Sequence, residues 1–380
     1  MIILGIETSC DETAISVVEA TGGDALHPEF RVLGAAIHSQ VDMHALYGGV
    51  YPNLAKREHI KNLPLVLSQA LEKAGVRMEG IDTIAVTVGP GLEPALWTGI
   101  NFAEELSKKY NKPLIPTNHM EGHIASVLLN RSNEFSISNF QFSIKYPALA
   151  LLISGGHTEL VLLHSWDEKQ VIGHTVDDAV GEAFDKVARM IGLTYPGGPE
   201  ISRLAKEARE KNIMPNFKLP RPMLHSGDLN FSFSGLKTAV LYLIRKIPHP
   251  PFDKLRAPSP TVGEGRDASP GEVLTPEIKL QIAREFEDSV IEVLVEKTKT
   301  AIALHNPHTL IIGGGVIAND LIREKFQELV TQYPHMELKI PEKSLTTDNA
   351  TMIAMAGYLS AQTKGAQLYE LRAQGNLQYL

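Results

Sequence analysis

Two α/β lobes facing each other across a cleft, each a mixed sheet covered by helices, are predicted by three features of this sequence. The chain has 380 residues, more than one core ordinarily serves. A strand–turn–strand unit occurs twice. After each copy comes the same succession: a third extended stretch, a helix, a strand, a glycine-rich turn and another helix.

The first copy starts at once. Residues 2–18 read Ile-Ile-Leu-Gly-Ile-Glu-Thr-Ser-Cys-Asp-Glu-Thr-Ala-Ile-Ser-Val-Val, two apolar runs around a small polar turn. Val32–Ile37 is the third extended stretch, 53–74 the helix, and Ile84–Val88 the strand entering Gly89-Pro90-Gly91. The second copy spans 148–163, with Ser154 and Thr158 standing where the first has Ser9 and Thr13. Val171–Val176, the helix 179–191, the strand Leu310–Ile312 and Gly313-Gly314-Gly315, expected to open a helix, complete it. A single turn of this kind is usually only a turn. Matched hairpin turns, whose Gly and Ser residues expose backbone N–H groups, together make an anion-binding arrangement. The pattern describes the two-lobed actin-like (ASKHA) fold, duplicated RNase H-like domains with a cleft between them. The expected lobes are 1–130 and 131–345, with a C-terminal helix over 346–380 returning to complete the first.

One stretch belongs to neither unit. Residues 248–271 hold six Pro and three Gly among polar residues, a composition that reads as a disordered surface insertion. It ends at Thr275-Pro276-Glu277, an N-cap with Pro at the first helical position. The helix beyond, 277–304, carries Ile278, Ile282, Phe286, Val290 and Leu294 at core spacing.

Composition limits the function classes. Hydrophobic residues make up 43% and charged residues 21%, ordinary for a globular chain, and no apolar run reaches the length of a membrane span. The first residues read as a buried strand rather than a signal peptide. The single cysteine, Cys10, excludes an intrachain disulfide and fits a reducing cytoplasm. A net charge of −8 does not favour nucleic acid, so a local basic patch or a partner must attract one.

The chemistry lies in His119-Met120-Glu121-Gly122-His123. Imidazoles at i and i+4 share a helix face and reach one metal ion. Asp348, in Thr-Thr-Asp-Asn-Ala, would complete a three-ligand site with an open position. With 14 His in the chain, chance alone gives about half of one such pair, so context must carry the assignment. A zinc peptidase needs His-Glu-x-x-His, the Glu acting as base. Here the only Glu is Glu121, about 200° around the helix from His119, which argues against a metallopeptidase.

Longer blocks carry a resemblance. GIETSCDETA at 5–14, VGPGLEPALWTGI at 88–100, NHMEGHI at 118–124, SGGHTEL at 154–160, DDAVGEAFDKVARMIGLTYPGGP at 177–199, FSFSGLKTA at 231–239, GGGVIAN at 313–319 and TDNATMIAMAG at 347–357 occur in order. The chain resembles the tRNA N6-adenosine threonylcarbamoyltransferases, the TsaD/Gcp family, over nearly its whole length outside 248–271, a segment foreign to the family pattern. The resemblance implies transfer of a threonylcarbamoyl group from threonylcarbamoyl-AMP to N6 of adenosine 37 in tRNAs reading ANN codons. It implies His119, His123 and Asp348 as ligands of one divalent metal, Fe2+ or Zn2+. It also implies that Leu152, Ile153, Ser154, Gly155, Gly156, Asp185, Gly198 and Asn319 contact the substrate. Archaeal relatives have a tyrosine ligand where this chain has Leu152, so the bacterial branch is indicated. Implied partners are a TsaB-like actin-fold protein and a TsaE-like small ATPase, in the cytoplasm.

Plainer roles stand beside these. Asp348 could be a helix N-cap, and Asp185 could pair with Arg189 at i+4 on an exposed face. An unpartnered carboxylate is costly in a buried strand, so Glu7 is expected to face the cleft with Asp11 and Glu12, all three being candidate catalytic groups. His157 is a further candidate. No Ser or Cys stands with a neighbouring His base, which favours direct transfer over a covalent intermediate. A small-molecule kinase or a non-catalytic nucleotide-binding subunit on the same fold would leave the histidine pair unexplained.

Overall fold

A computed structural model describes residues 1–21, 29–129, 144–247, 274–364 and 371–379. The segment 248–271, expected to be disordered, lies outside the described residues.

The first sheet is built from β1 (Ile2–Glu7), β2 (Glu12–Thr21), β3 (Glu29–Ser39), β4 (Thr83–Gly89) and β5 (Leu114–Asn118), in the order β3-β2-β1-β4-β5. The second contains β6 (Ala148–Ile153), β7 (Thr158–Leu163), β8 (Lys169–His174), β9 (Thr309–Gly313) and β10 (Glu337–Lys339), in the order β10-β9-β6-β7-β8. Numbered within each copy, both orders are 3-2-1-4-5. The opening hairpin is antiparallel in each, Glu7 opposite Ala14 and Ile153 opposite Thr158, and the fourth strand joins the first in parallel. The duplication seen in the sequence is therefore a duplication of topology.

The helices are α1 (Val41–Ala45), α2 (Pro52–Ala74), α3 (Glu93–Tyr110), α4 (His119–Ala125), α5 (Val180–Met190), α6 (Gly197–Glu210), α7 (Ser234–Lys246), α8 (Pro276–His305), α9 (Asp320–Val330) and α10 (Ala350–Lys364). Thr275 caps α8 as its sequence predicts, its hydroxyl accepting from the Ile278 N–H. Gly313-Gly314-Gly315 does not open a long helix. A short 3-10 turn, Gly315–Ala318, intervenes, and Asn319 caps α9.

α4 and α10 lie between the two sheets. One apolar cluster joins Ile3, Val18 and Ala85 of the first sheet to Ala150, Leu152 and Val161 of the second through Ile124, Met352, Ile353 and Met355. Such a helix must be apolar all round, and Thr351 to Leu359 are buried without interruption. Close approach to β1 depends on Gly5, where a Cβ would lie 2.2 Å from the Ala350 carbonyl oxygen. The helix expected over 346–380 is shorter than that. Residues 371–379 run without helix along the first sheet and then towards the second: the Gln374 N–H donates to Val88 O, and the Tyr379 hydroxyl donates to Glu159 at 2.9 Å.

Candidate metal centre and substrate cleft

β5 passes directly into α4, and Asn118 makes the junction. Its Oδ1 accepts from the N–H groups of Met120 and Glu121 (2.8 and 3.2 Å), while its amide donates to the Gln378 carbonyl at 2.9 Å. Capping fixes the first turn, and the helical repeat then brings His123 beneath His119, with ring centroids 4.8 Å apart.

Asp348 arrives from the segment preceding α10. The capping role open to it is taken by Asn349, whose Oδ1 accepts from the Met352 N–H at 3.0 Å. Asp348 Oδ1 instead stands 3.4 Å from both His119 Nε2 and His123 Nε2. One donor atom from each of the three residues lies within 4.8 Å of the others. Ligands bound about 2.1 Å from a shared ion stand about 3.0–3.4 Å apart, so the spacing fits a divalent metal. A second observation agrees. His123 is fully buried, yet neither ring nitrogen makes a well-formed hydrogen bond among the described residues, Nε2 having only Asp348 Oδ1 at 3.4 Å, a costly state for Nε2 that an ion shared with Asp348 would relieve.

Glu7 does not face the cleft as expected. It is fully buried, and the cost of its charge is met locally. Oε1 accepts from the Ser9 N–H at 2.5 Å, and Oε2 accepts from the Thr87 hydroxyl at 2.7 Å and lies 3.0 Å from His119 Nδ1. Ser9 Oγ also approaches Nδ1, at 3.2 Å. These contacts hold the ring so that Nε2 points at Asp348, the arrangement in which a carboxylate behind a ligating histidine fixes its tautomer. Burial pushes the His119 pKa down, but Asp348 and Glu7 outweigh it and leave the group well above its ordinary value. Asp348 is held far below the carboxylate range because both imidazoles outweigh its own burial. Glu121 points away from the histidine face, accepting from Lys169 Nζ at 2.7 Å, so a peptidase base is lacking at that position.

Asp11 and Glu12 separate by environment. Burial, then the charges of Asp11 and Asp348, push Glu12 up to about 10. Asp11 is buried, and its Oδ2 has no hydrogen-bond partner among the described residues. His157 is pushed down to about 4 by burial and by the charges of His119 and His123.

The second hairpin turn faces this group. The side chains of Leu152 and Ile153 are wholly buried in core clusters, so any contact they make with a ligand is through their backbone. Ser154 Oγ accepts from the His157 N–H at 3.1 Å, closing the turn. α5 starts against it: the Val180 N–H donates to the Thr158 hydroxyl (2.9 Å) and the Gly181 N–H to Ser154 O (3.2 Å). Asp185 does not pair with Arg189. It accepts from the backbone N–H groups of Gly197 and Gly198, the former at 2.7 Å, and its pKa is raised by burial. At Gly155, Gly156, Gly198 and Gly315 an added Cβ would meet nothing within 4 Å, so glycine backbone borders open space here. Asn319 is held by its neighbours: its amide donates to Ser202 and Glu287, both at 2.7 Å, and its Oδ1 caps α9.

Among the described residues no helix is long and apolar enough to cross a membrane. Fold and site together define a two-lobed actin-like protein with a His-His-Asp metal-ligand group beside its cleft. Residues 31–355 match the family model "TsaD: tRNA N6-adenosine threonylcarbamoyltransferase", and the chain belongs to that family. A tRNA N6-adenosine threonylcarbamoyltransferase of Thermosipho africanus is 43% identical over 358 residues, covering 94% of each chain. One of Persephonella marina is 43% identical over 368 residues, covering 96% of this chain and 92% of its own. Among solved structures, HypF of T. kodakarensis superposes with a TM-score of 0.54 at 13% identity, covering 97% of this chain and 49% of that one, a likeness of fold alone.

Proposed function

We propose that this chain forms N6-threonylcarbamoyladenosine at position 37 of tRNAs reading ANN codons, taking the acyl group from threonylcarbamoyl-AMP. The observation that carries this reading is the triad His119, His123 and Asp348, with Glu7 behind it, in a chain matching the transferase family over residues 31–355. These three residues hold one divalent ion, Fe2+ in this reading, with Zn2+ the alternative that elemental analysis distinguishes. When bound, the metal supplies Lewis-acid polarisation and orientation of the acyl donor.

In the transfer, adenosine N6 forms a bond to the carbamoyl carbon, the bond from that carbon to the phosphate oxygen breaks, AMP leaves and N6 gives up a proton. N6 is a weak nucleophile, so positioning carries much of the acceleration. The backbone N–H groups of Gly155 and Gly156 hold the departing phosphate, in a turn closed by the Ser154 N–H donating to the His157 carbonyl, and the Asp185-braced turn at Gly198 contributes to the same cleft. Of the three candidate carboxylates, Glu7 acts by positioning His119. Burial and the charge of Asp11 favour the protonated form of Glu12, and Asp11 Oδ2, without a hydrogen-bond partner among the described residues, is the acceptor for the N6 proton. No residue is needed as a covalent nucleophile.

The chain works in the cytoplasm with a TsaB-like actin-fold protein and a TsaE-like small ATPase. A net charge of −8 opposes a polyanion, so the lone chain is expected to turn over slowly. With both partners, turnover should be sustained and tRNA binding should weaken steeply with salt. Turnover of tRNA and synthetic threonylcarbamoyl-AMP, with and without partners, checks this. Full multiple turnover by the lone chain would refute the partner requirement without touching the site assignment.

A further inference from the structure

An acidic chain that modifies RNA needs a local surface that attracts it. The loop between β3 and α2 has the features of one. Tyr47 and Tyr51 are stacked, with centroids 5.9 Å apart and planes at 26°, and are 63% and 53% exposed. Arg189 of α5, in the second lobe, reaches this loop from across the cleft: a Cβ on Gly48, whose φ is +68°, would lie 3.0 Å from its guanidinium. Lys56 and Arg57, in the early turns of α2 that follow Tyr51 in the chain, are exposed. Among the described residues none of these three cations has a carboxylate within ion-pair distance, whereas the neighbouring Lys61 and Lys186 are paired.

The loop is also held rigidly to the cleft. The Tyr51 N–H donates to His44 Nδ1 (3.2 Å), His44 Nε2 lies 3.2 Å from Gln40 Oε1, and the Gln40 N–H donates to the Asp11 carbonyl (3.0 Å). His59 braces the same turn, with Nε2 3.0 Å from Cys10 O and Nδ1 2.8 Å from the Thr13 hydroxyl. On the opposite side Arg189 stands one helical turn from Asp185. The exposed aromatics are therefore built into the rim of the cleft.

We propose that this rim receives the single-stranded anticodon loop of the tRNA, an unpaired base stacking on the Tyr47–Tyr51 pair and a neighbouring phosphate meeting Arg189. Unstacked loop bases are recognised by aromatic faces and guanidinium planes. Tyr and Arg are enriched in protein-docking patches as well, and it is the exposed, unpaired Lys56 and Arg57 that favour a polyanion here. The inference rests on tRNA being the substrate.

The test uses the full-length, metal-loaded protein and a fluorescein-labelled anticodon stem-loop RNA followed by anisotropy at graded salt, with tRNA modification measured in parallel. Tyr47→Ala and Tyr51→Ala should each weaken binding about tenfold, the loss of one base stack, and Tyr47→Phe should bind as the unmutated chain does. Arg189→Ala should lower the slope of log K against log salt by about one. Metal content and melting temperature should not change in any of them. Unchanged RNA binding in the alanine variants overturns the inference while tRNA modification by the unmutated protein stands. So does unchanged RNA binding combined with failed assembly with the actin-fold partner, which would make the rim a protein interface. If the unmutated protein, with its partners, neither binds nor modifies the RNA, the substrate reading fails and the inference with it.

Discussion

Replacing His119 or His123 with alanine is expected to remove the bound metal and the transferase activity together, while cooperative unfolding is retained. Each histidine is one of three protein ligands, and a site with so few cannot lose one and keep its affinity. The fold should survive because neither ring holds the core together by hydrogen bonds: His123 makes none among the described residues, and His119 bonds to Glu7 and Ser9, which keep their own backbone or hydroxyl partners. Elemental analysis beside a thermal melt checks this. Unchanged metal stoichiometry in both variants would sink the metal-site reading.

The second large effect is expected far from any ligand. Gly5→Ala should destabilise the protein by about 3 kcal/mol or more, because overpacking between rigid backbones cannot relax through a rotamer. The added Cβ would stand 2.2 Å from Ala350 O and 2.9 Å from Ala354 N, both backbone atoms of α10. To escape, α10 must move off the sheet, and Asp348, two residues before its start, moves with it. The variant should therefore lose metal affinity along with stability. Denaturant melts and chelator competition measure the two losses. A variant as stable as the parent would show that the helix yields more easily than its packing implies.

Much of the site was legible because it rests on local spacing. The i, i+4 histidines on α4 and the matched turns at 8–13 and 154–157 are short-range signals, and the structure places them as the periodicities require. What was missed depends on residues distant in sequence. Asn118 is an ordinary cap by sequence, and its bond to the Gln378 carbonyl has no local signature. Glu7 looked costly in a buried strand and was expected in the cleft. The cost is instead met by Ser9, Thr87 and His119, two of them brought there by other strands and helices. Asp348 was a possible cap by residue type, and only the packing of α10 between the sheets decides that Asn349 caps while Asp348 turns to the histidines. The glycines at 313–315 were expected to open a helix. They serve instead as a tight passage beneath α4 and β6, with a Cβ on Gly314 (φ +92°) only 2.4 Å from Ile153 O.

The central claim, metal-assisted acyl transfer to tRNA at His119, His123 and Asp348, is tested most directly by nucleoside mass analysis. Unmodified tRNA would be incubated with synthetic threonylcarbamoyl-AMP, the partner proteins and this chain, either stripped by chelator or reloaded with Fe2+. The account predicts threonylcarbamoyladenosine at position 37 with the reloaded protein and almost none with the stripped one. Equal modification by both, or release of AMP with no modified adenosine, would contradict it.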